Sequence, residues 1–195
     1  RYSENAYSLI SAGAWAEYAG DYLRKAAEDK MGEFGYVEIA ETTARRGVFA
    51  IAGPKTRDVL HALVKDADPS TALSNKRFPW LSGREIELGM CPVYAIRVAY
   101  TGELGWELHH PMEMQNYLWD LLMKAGEEHG IKPVGARAQN WLRQEKSYRA
   151  FGNELGRDAP PLEAALTRFV DLSKEFQGKA AMEAFGRRSK GSPRF

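Results

Sequence analysis

The sequence predicts an α+β fold: two similar lobes of antiparallel sheet with helices on their outer faces. Two observations carry that expectation. Twice along the chain, a stretch with apolar residues at helical spacing accompanies short runs in which apolar and polar residues alternate. In addition, residues 93–108 alternate as far as Tyr100, break at the glycine-flanked Glu103 and resume at Trp106, which reads as strand, tight turn, strand. Helices packed on one side of antiparallel strands define the α+β class.

The elements follow in order. Residues 6–10 read as a strand, and residues 14–30 as a helix whose Tyr18, Tyr22, Leu23 and Ala26 recur at helical spacing. Strands are expected at 36–41 and 47–51. Gly53-Pro54 then opens a helix, because proline fits the first turn, where its missing N–H has no partner to lose. Val59, Leu60, Leu63 and Val64 form its apolar stripe. After the turn-rich span 66–75 the pattern repeats, with strands at 84–88, 93–100 and 105–109 and a helix from 111 to about 128. Leu118, Leu121, Leu122 and Ala125 give that helix its stripe. A last helical stretch, 135–149, carries Arg137, Arg143, Lys146 and Arg149 interleaved with Trp141, Leu142 and Tyr148. Arg143 and Glu145 read as a buried ion pair, since a desolvated arginine needs a carboxylate.

Composition narrows the function classes. The chain has 195 residues, 44% hydrophobic and 27% charged, with a net charge of +1. That is ordinary globular usage, and it lacks the basic excess of a nucleic-acid surface. No apolar run is long enough to cross a bilayer, and the start has no basic-then-apolar leader pattern, so a cytoplasmic protein is expected, or a mitochondrial matrix protein if eukaryotic. Cys91 is the single cysteine and lies in an apolar stretch, which predicts a buried, inert thiol. His61, His109, His110 and His129 show no metal-ligand spacing, so no metal site is expected; His109 and His110 read as a surface pair on opposite faces of a strand. No glycine-rich dinucleotide fingerprint follows a strand. The chain opens on Arg1 within apparent structure and closes on the basic stretch 186–195, read as a tail or linker after a domain spanning 1–185. A fragment or processed product is the expectation.

Glu103 is the residue with the clearest chemistry. On spacing alone two readings stand: a hairpin turn with a solvated acid, or a carboxylate fixed at a sheet rim so that it accepts two hydrogen bonds from a flat, amino-substituted ring. The stretch Tyr100-Thr101-Gly102-Glu103-Leu104-Gly105-Trp106-Glu107 resembles the folate-site hairpin of the aminomethyltransferase (glycine-cleavage T-protein) superfamily. A second stretch, Leu142-Arg143-Gln144-Glu145-Lys146-Ser147-Tyr148-Arg149-Ala150-Phe151-Gly152-Asn153-Glu154-Leu155, followed by Pro161-Leu162-Glu163-Ala164, is similar to the dimethylglycine and sarcosine dehydrogenase branch of that superfamily. Weaker matches at 7–13, 51–60 and 176–181 extend the resemblance over nearly the whole chain.

The resemblance implies a T-protein-like fold, incomplete at both ends, and a tetrahydrofolate cofactor held by Tyr100, Thr101, Gly102, Glu103 and Trp106. Arg137, in Gly135-Ala136-Arg137, matches a folate-contacting arginine of the T-protein, and Arg168 stands where the dehydrogenase branch has a folate-contacting aromatic. The implied chemistry is one-carbon transfer: an N-methyl substrate such as dimethylglycine or sarcosine is demethylated, and its one-carbon unit passes to tetrahydrofolate. FAD would belong to a separate domain or a missing part of the polypeptide, and that flavin domain or N-terminal segment is the expected partner. The family's catalytic aspartate is expected upstream of Arg1, which leaves the catalytic residue unknown and the fragment inactive alone. Ala138, Ala165 and Gln177 depart from the family pattern. A glycine-cleavage-type aminomethyltransferase, another folate-dependent demethylase and a non-catalytic folate-binding module are the alternatives.

Overall fold

The computed structural model describes residues 2–156 and 159–189. They divide into two compact units, Arg1–Gly47 and Val48–Phe195.

The first unit is organised around α1 (Ala16–Asp29), followed by the short helix α2 (Met31–Phe34). The helix predicted over 14–30 is therefore present, but the apolar positions meant to bury it are not covered: Tyr18 and Tyr22 are exposed, and α1 contains no buried residue. Neither strand predicted before residue 46 forms. Residues 6–10 and 36–41 run extended, and the only pairing in that region among the described residues is an isolated bridge from Ser3 to Ala6. A strand exists only where a neighbour takes up its backbone N–H and C=O groups, and alternation cannot supply that neighbour.

The second unit holds a five-stranded sheet in the order β1-β5-β4-β3-β2. Its strands are β1 (Arg46–Ala52), β2 (Val64–Lys65), β3 (Gly83–Leu88), β4 (Cys91–Ile96) and β5 (Gly105–Pro111). The pairs β2–β3, β3–β4 and β4–β5 are antiparallel, with Ile86 opposite Val93 and Ala95 opposite Leu108. Alternation works here: Cys91, Val93 and Ala95 are buried while Pro92 points out. Onto these strands pack α3 (Thr56–His61), through Val59 and Leu60, and α5 (Gln115–Gly126), through Leu118 and Leu122. Leu73 and Phe78, near the short helix α4 (Pro69–Ala72), close the same core. The second unit is thus a mixed helix-and-sheet domain with one sheet among the described residues. Beyond the sheet in sequence lie α6 (Ala136–Glu145) and α7 (Lys179–Ser189). The latter covers the first residues of the stretch expected to be a tail; residues 190–195 lie outside the described residues. No helix among the described residues is long and apolar enough to cross a membrane.

Several expectations need correction. Pro54 leads into α3 rather than opening it, because the chain first turns through Gly53, whose carbonyl accepts from the Thr56 N–H at 3.1 Å. The strand expected to reach Tyr100 ends at Ile96, where the Val98 N–H folds back onto the Ile96 carbonyl at 2.9 Å and turns the chain out of the sheet. His109 and His110 are both buried rather than a surface pair, because β5 is covered on both faces. His110 stacks on Phe49 with ring centroids 4.8 Å apart, and His109 Nε2 lies 3.3 Å from Glu107 Oε2. Cys91 is buried as expected, and desolvation pushes its thiol pKa up, the opposite of what a nucleophile needs.

Candidate functional site

The chain leaves the sheet after Ile96 and re-enters it at Gly105, and the loop between carries the residues singled out from sequence. Two glycines give it its shape. Gly102 has φ 71°, a left-handed conformation that disfavours a side chain, and a Cβ there would lie 2.5 Å from Lys146 Cγ. At Gly105 a Cβ would stand 2.7 Å from the Ile51 carbonyl oxygen, so only glycine lets the loop re-enter beside β1. The Gly53 N–H donates to the Leu104 carbonyl at 2.8 Å and fixes that re-entry point.

A cavity of about 330 Å³ opens against this loop. Gly102 and Glu103 form part of its wall, together with Trp80, Arg97 and Tyr148. Such a volume falls at the small end of the roughly 300–1,000 Å³ range of small-molecule sites. Glu103 is exposed and has no hydrogen-bond or ion-pair partner among the described residues. Next to it, the Thr101 hydroxyl is buried without a partner. Glu103 is thus the hydrogen-bonding group held at the cavity wall, while the Thr101 hydroxyl is closed off from solvent. Tyr100 is stacked on Tyr148, centroids 6.2 Å apart and planes at 23°, and its hydroxyl donates to the Arg149 carbonyl at 2.7 Å.

Trp106 is placed differently from the expectation. It is fully buried and packs edge-on to Phe78, with ring centroids 6.0 Å apart. The guanidinium groups of Arg57 and Arg97 lie 5.8 and 5.7 Å from its ring. It is a core residue under the loop, not a surface against which a ligand can rest. Arg137 and Arg168 are both exposed, and neither lines the cavity. Arg137 sits in the first turn of α6 without a hydrogen bond or ion pair among the described residues, while Arg168 lies 4.7 Å over the ring of its neighbour Phe169. Arg143 is buried as expected, but its carboxylate is Glu154, at 2.8 Å, and not Glu145. Residues two apart on a helix do not face each other, so the nearest acid in sequence was the wrong one.

Sequence reasoning missed Trp80, Arg97 and Tyr148 as wall residues. Tyr148 stands within the second motif and Arg97 in the alternating run that leads into the first, so both could have been found there; Trp80 lies in a connection with no pattern to mark it. Arg97 donates to the Phe78 carbonyl at 2.7 Å and has no carboxylate partner among the described residues. Desolvation and the nearby Arg57 charge pull its pKa down from the ordinary arginine value. Among the described residues, no group of His, Cys, Asp and Glu is placed to hold a metal ion.

A mixed helix-and-sheet domain with a carboxylate-bearing loop against a small cavity defines the class of site. The particular family is given by comparison with known proteins. The GCVT N-terminal domain matches residues 1–174, and the chain belongs to that family. It is 44% identical over 159 residues to the mitochondrial dimethylglycine dehydrogenase of Homo sapiens, covering 80% of this chain and 18% of that protein. Against the mitochondrial sarcosine dehydrogenase of Mus musculus it is 35% identical, covering 91% and 19%. Against an aminomethyltransferase of Caldanaerobacter subterraneus it is 36% identical, covering 93% and 46%. The resemblance read from the two motifs is borne out. The chain spans less than a fifth of the dehydrogenases and less than half of the aminomethyltransferase that it matches.

Proposed function

We propose that this chain is the tetrahydrofolate-binding part of an enzyme that moves a one-carbon unit from an N-methyl substrate, such as dimethylglycine or sarcosine, to tetrahydrofolate. The observation that supports it is Glu103: a carboxylate with no partner among the described residues, on a loop shaped by two glycines, at the wall of a cavity. Tetrahydrofolate, when bound, supplies the nucleophilic nitrogen that accepts the one-carbon unit. The residues present suit its flat pterin ring. Glu103 accepts from the ring's adjacent N–H groups, and Trp80 and Tyr148 offer aromatic surface. Their contribution is to hold and orient the acceptor, which lowers the barrier by positioning. Arg137 and Arg168 are reserved for the folate's glutamate, which extends beyond the ring. No residue here is assigned as the catalytic base.

The dehydrogenase branch is preferred because identity to the human dimethylglycine dehydrogenase, 44%, exceeds the 36% to the bacterial aminomethyltransferase. A glycine-cleavage-type aminomethyltransferase is the second reading, favoured by the larger share of that protein the chain covers. In the preferred reading FAD belongs to another domain of the longer protein, residues 1–185 are one wall-forming part of a two-lobed folate domain, and a mitochondrial matrix location follows if the source is eukaryotic. The test is Glu103→Gln in the protein that carries this chain. Charge-assisted hydrogen bonds are worth about 1.5–3 kcal/mol each, so tetrahydrofolate affinity should fall roughly tenfold or more, with the melting temperature unchanged. Calorimetry that finds the affinity intact overturns the assignment.

A further inference from the structure

Arg143 is 2% exposed and uses its guanidinium on three partners. Nε donates to Asn140 Oδ1 at 2.8 Å, Nη1 to the Tyr148 carbonyl at 2.7 Å and to Glu154 Oε2 at 2.8 Å, and Nη2 to Glu154 Oε1 at 3.3 Å. The Tyr148 N–H donates in return to the Arg143 carbonyl at 2.9 Å. Residue 143 therefore grips the backbone of residue 148 on both sides. Between them Ser147 is held at φ 57°, a conformation that an L-residue rarely adopts without outside constraint. Glu154 is fixed as well, since its Oε2 also accepts the Ala150 N–H at 2.9 Å.

A helix end needs none of this side-chain apparatus, because the backbone bonds alone close the last turn. Burying an arginine is costly, and the arrangement calls for an explanation in what it holds. What it holds is Tyr148, which lines the cavity and stacks on Tyr100. The same segment grips the Glu103 loop at two further points: the Tyr100 hydroxyl bonds to the Arg149 carbonyl at 2.7 Å, and the Lys146 stem lies across Gly102.

We propose that Arg143, with Glu154 as its counter-ion, is a positioning residue of the pocket: it fixes Tyr148 and, through Tyr100 and Gly102, the loop that presents Glu103. The proposal rests on the reading of this cavity as the tetrahydrofolate site. Arg143 itself touches no ligand. Lysine at this position keeps the charge but cannot serve three partners from one flat fork, so Arg143→Lys should behave as a loss rather than a rescue.

The experiment uses the protein that carries this chain, with Arg143→Lys, Glu154→Gln, Tyr148→Ala and the pair Arg143→Lys/Tyr148→Ala. Tetrahydrofolate affinity is measured by calorimetry, and amide hydrogen exchange is followed without ligand. Arg143→Lys and Glu154→Gln should each weaken binding by roughly tenfold. In the Tyr148→Ala background, Arg143→Lys should cost less than it does in the unaltered protein, because part of its effect passes through that ring. Exchange should speed up at residues 100–103 and 147–149 and stay unchanged in β3, β4 and β5. Full additivity of the two substitutions, or wild-type affinity in both single variants, overturns the proposal. If the unaltered protein binds no tetrahydrofolate, the folate reading fails and the exchange data decide: faster exchange confined to the two segments still supports positioning, and an unaltered or uniformly loosened pattern overturns it.

Discussion

Strand β5 and the loop that feeds it are neighbours in sequence and opposite in character. From Trp106 to His110 nearly every side chain is packed, and Leu108 is wholly buried against the strands and helices around it. From Thr101 to Glu103 the chain does the reverse, with a glycine in a left-handed conformation and an exposed carboxylate that pairs with no other described residue. On the proposed reading, the contrast separates residues that hold the fold from residues that meet a ligand, although both lie in one motif.

The sharpest way to test that separation is Leu108→Ala. Removing a fully buried leucine should cost about 2–5 kcal/mol of stability and lower the melting temperature by roughly 2–4 °C per kcal/mol. The remaining folded protein should bind tetrahydrofolate as before. A scanning calorimeter and a binding titration below the transition check both halves, and lost affinity in fully folded protein would mean that the core and the loop are not separable. Glu103→Gln is the mirror image, with affinity lost and stability kept.

Gly102→Ala falls between the two. The added methyl must be accommodated at φ 71° and against the Lys146 stem, 2.5 Å away. A left-handed residue other than glycine costs about 1–2 kcal/mol, and the loop must shift to accept it. A severalfold loss of affinity with a small fall in melting temperature is expected. If affinity falls without any change in stability, Gly102 serves the ligand directly rather than the shape of the loop.

Much of the fold could be read from the sequence, and the failures share one cause. The strands at 84–88 and 105–109 and the helices around 16–29 and 115–126 were legible because alternation and the helical stripe report which face is apolar. They do not report what covers that face. Strands 6–10 and 36–41 were expected from the same kind of pattern, yet apart from the isolated Ser3–Ala6 bridge no neighbour pairs with them among the described residues. In the site, the glycine-shaped turn that carries Glu103 was legible from the break in alternation, while spacing alone left the acid's role open between a solvated turn and a ligand contact. Trp106 was misplaced because the motif drew it toward the ligand, whereas alternation with Leu108 and His110 points it into the core. Arg143 was recognised as buried, but its partner is eleven residues away and no local spacing could identify it.

The smallest expected effect lies in a third kind of arrangement, polar and satisfied but outside the core. Asp66 accepts the Asp68 N–H at 3.0 Å and pairs with Arg77 and Arg84 at 3.0 and 3.3 Å. The backbone hydrogen bond first, and then Arg77, hold its pKa below the ordinary 3.8. A carboxylate with a depressed pKa binds its proton more weakly in the folded chain than in the unfolded one. Its stabilising contribution is therefore present above the unfolded value, near 3.8, and lost as pH falls through the lower folded value. Asp66→Asn should remove that part of the acid sensitivity and leave stability at neutral pH slightly lower, since solvent-screened pairs contribute little. Denaturant midpoints measured from pH 7 down to pH 2 for both proteins check it. The two curves should converge on the acid side, and a constant gap across the range would show that Asp66 acts through packing at the turn rather than through its charge.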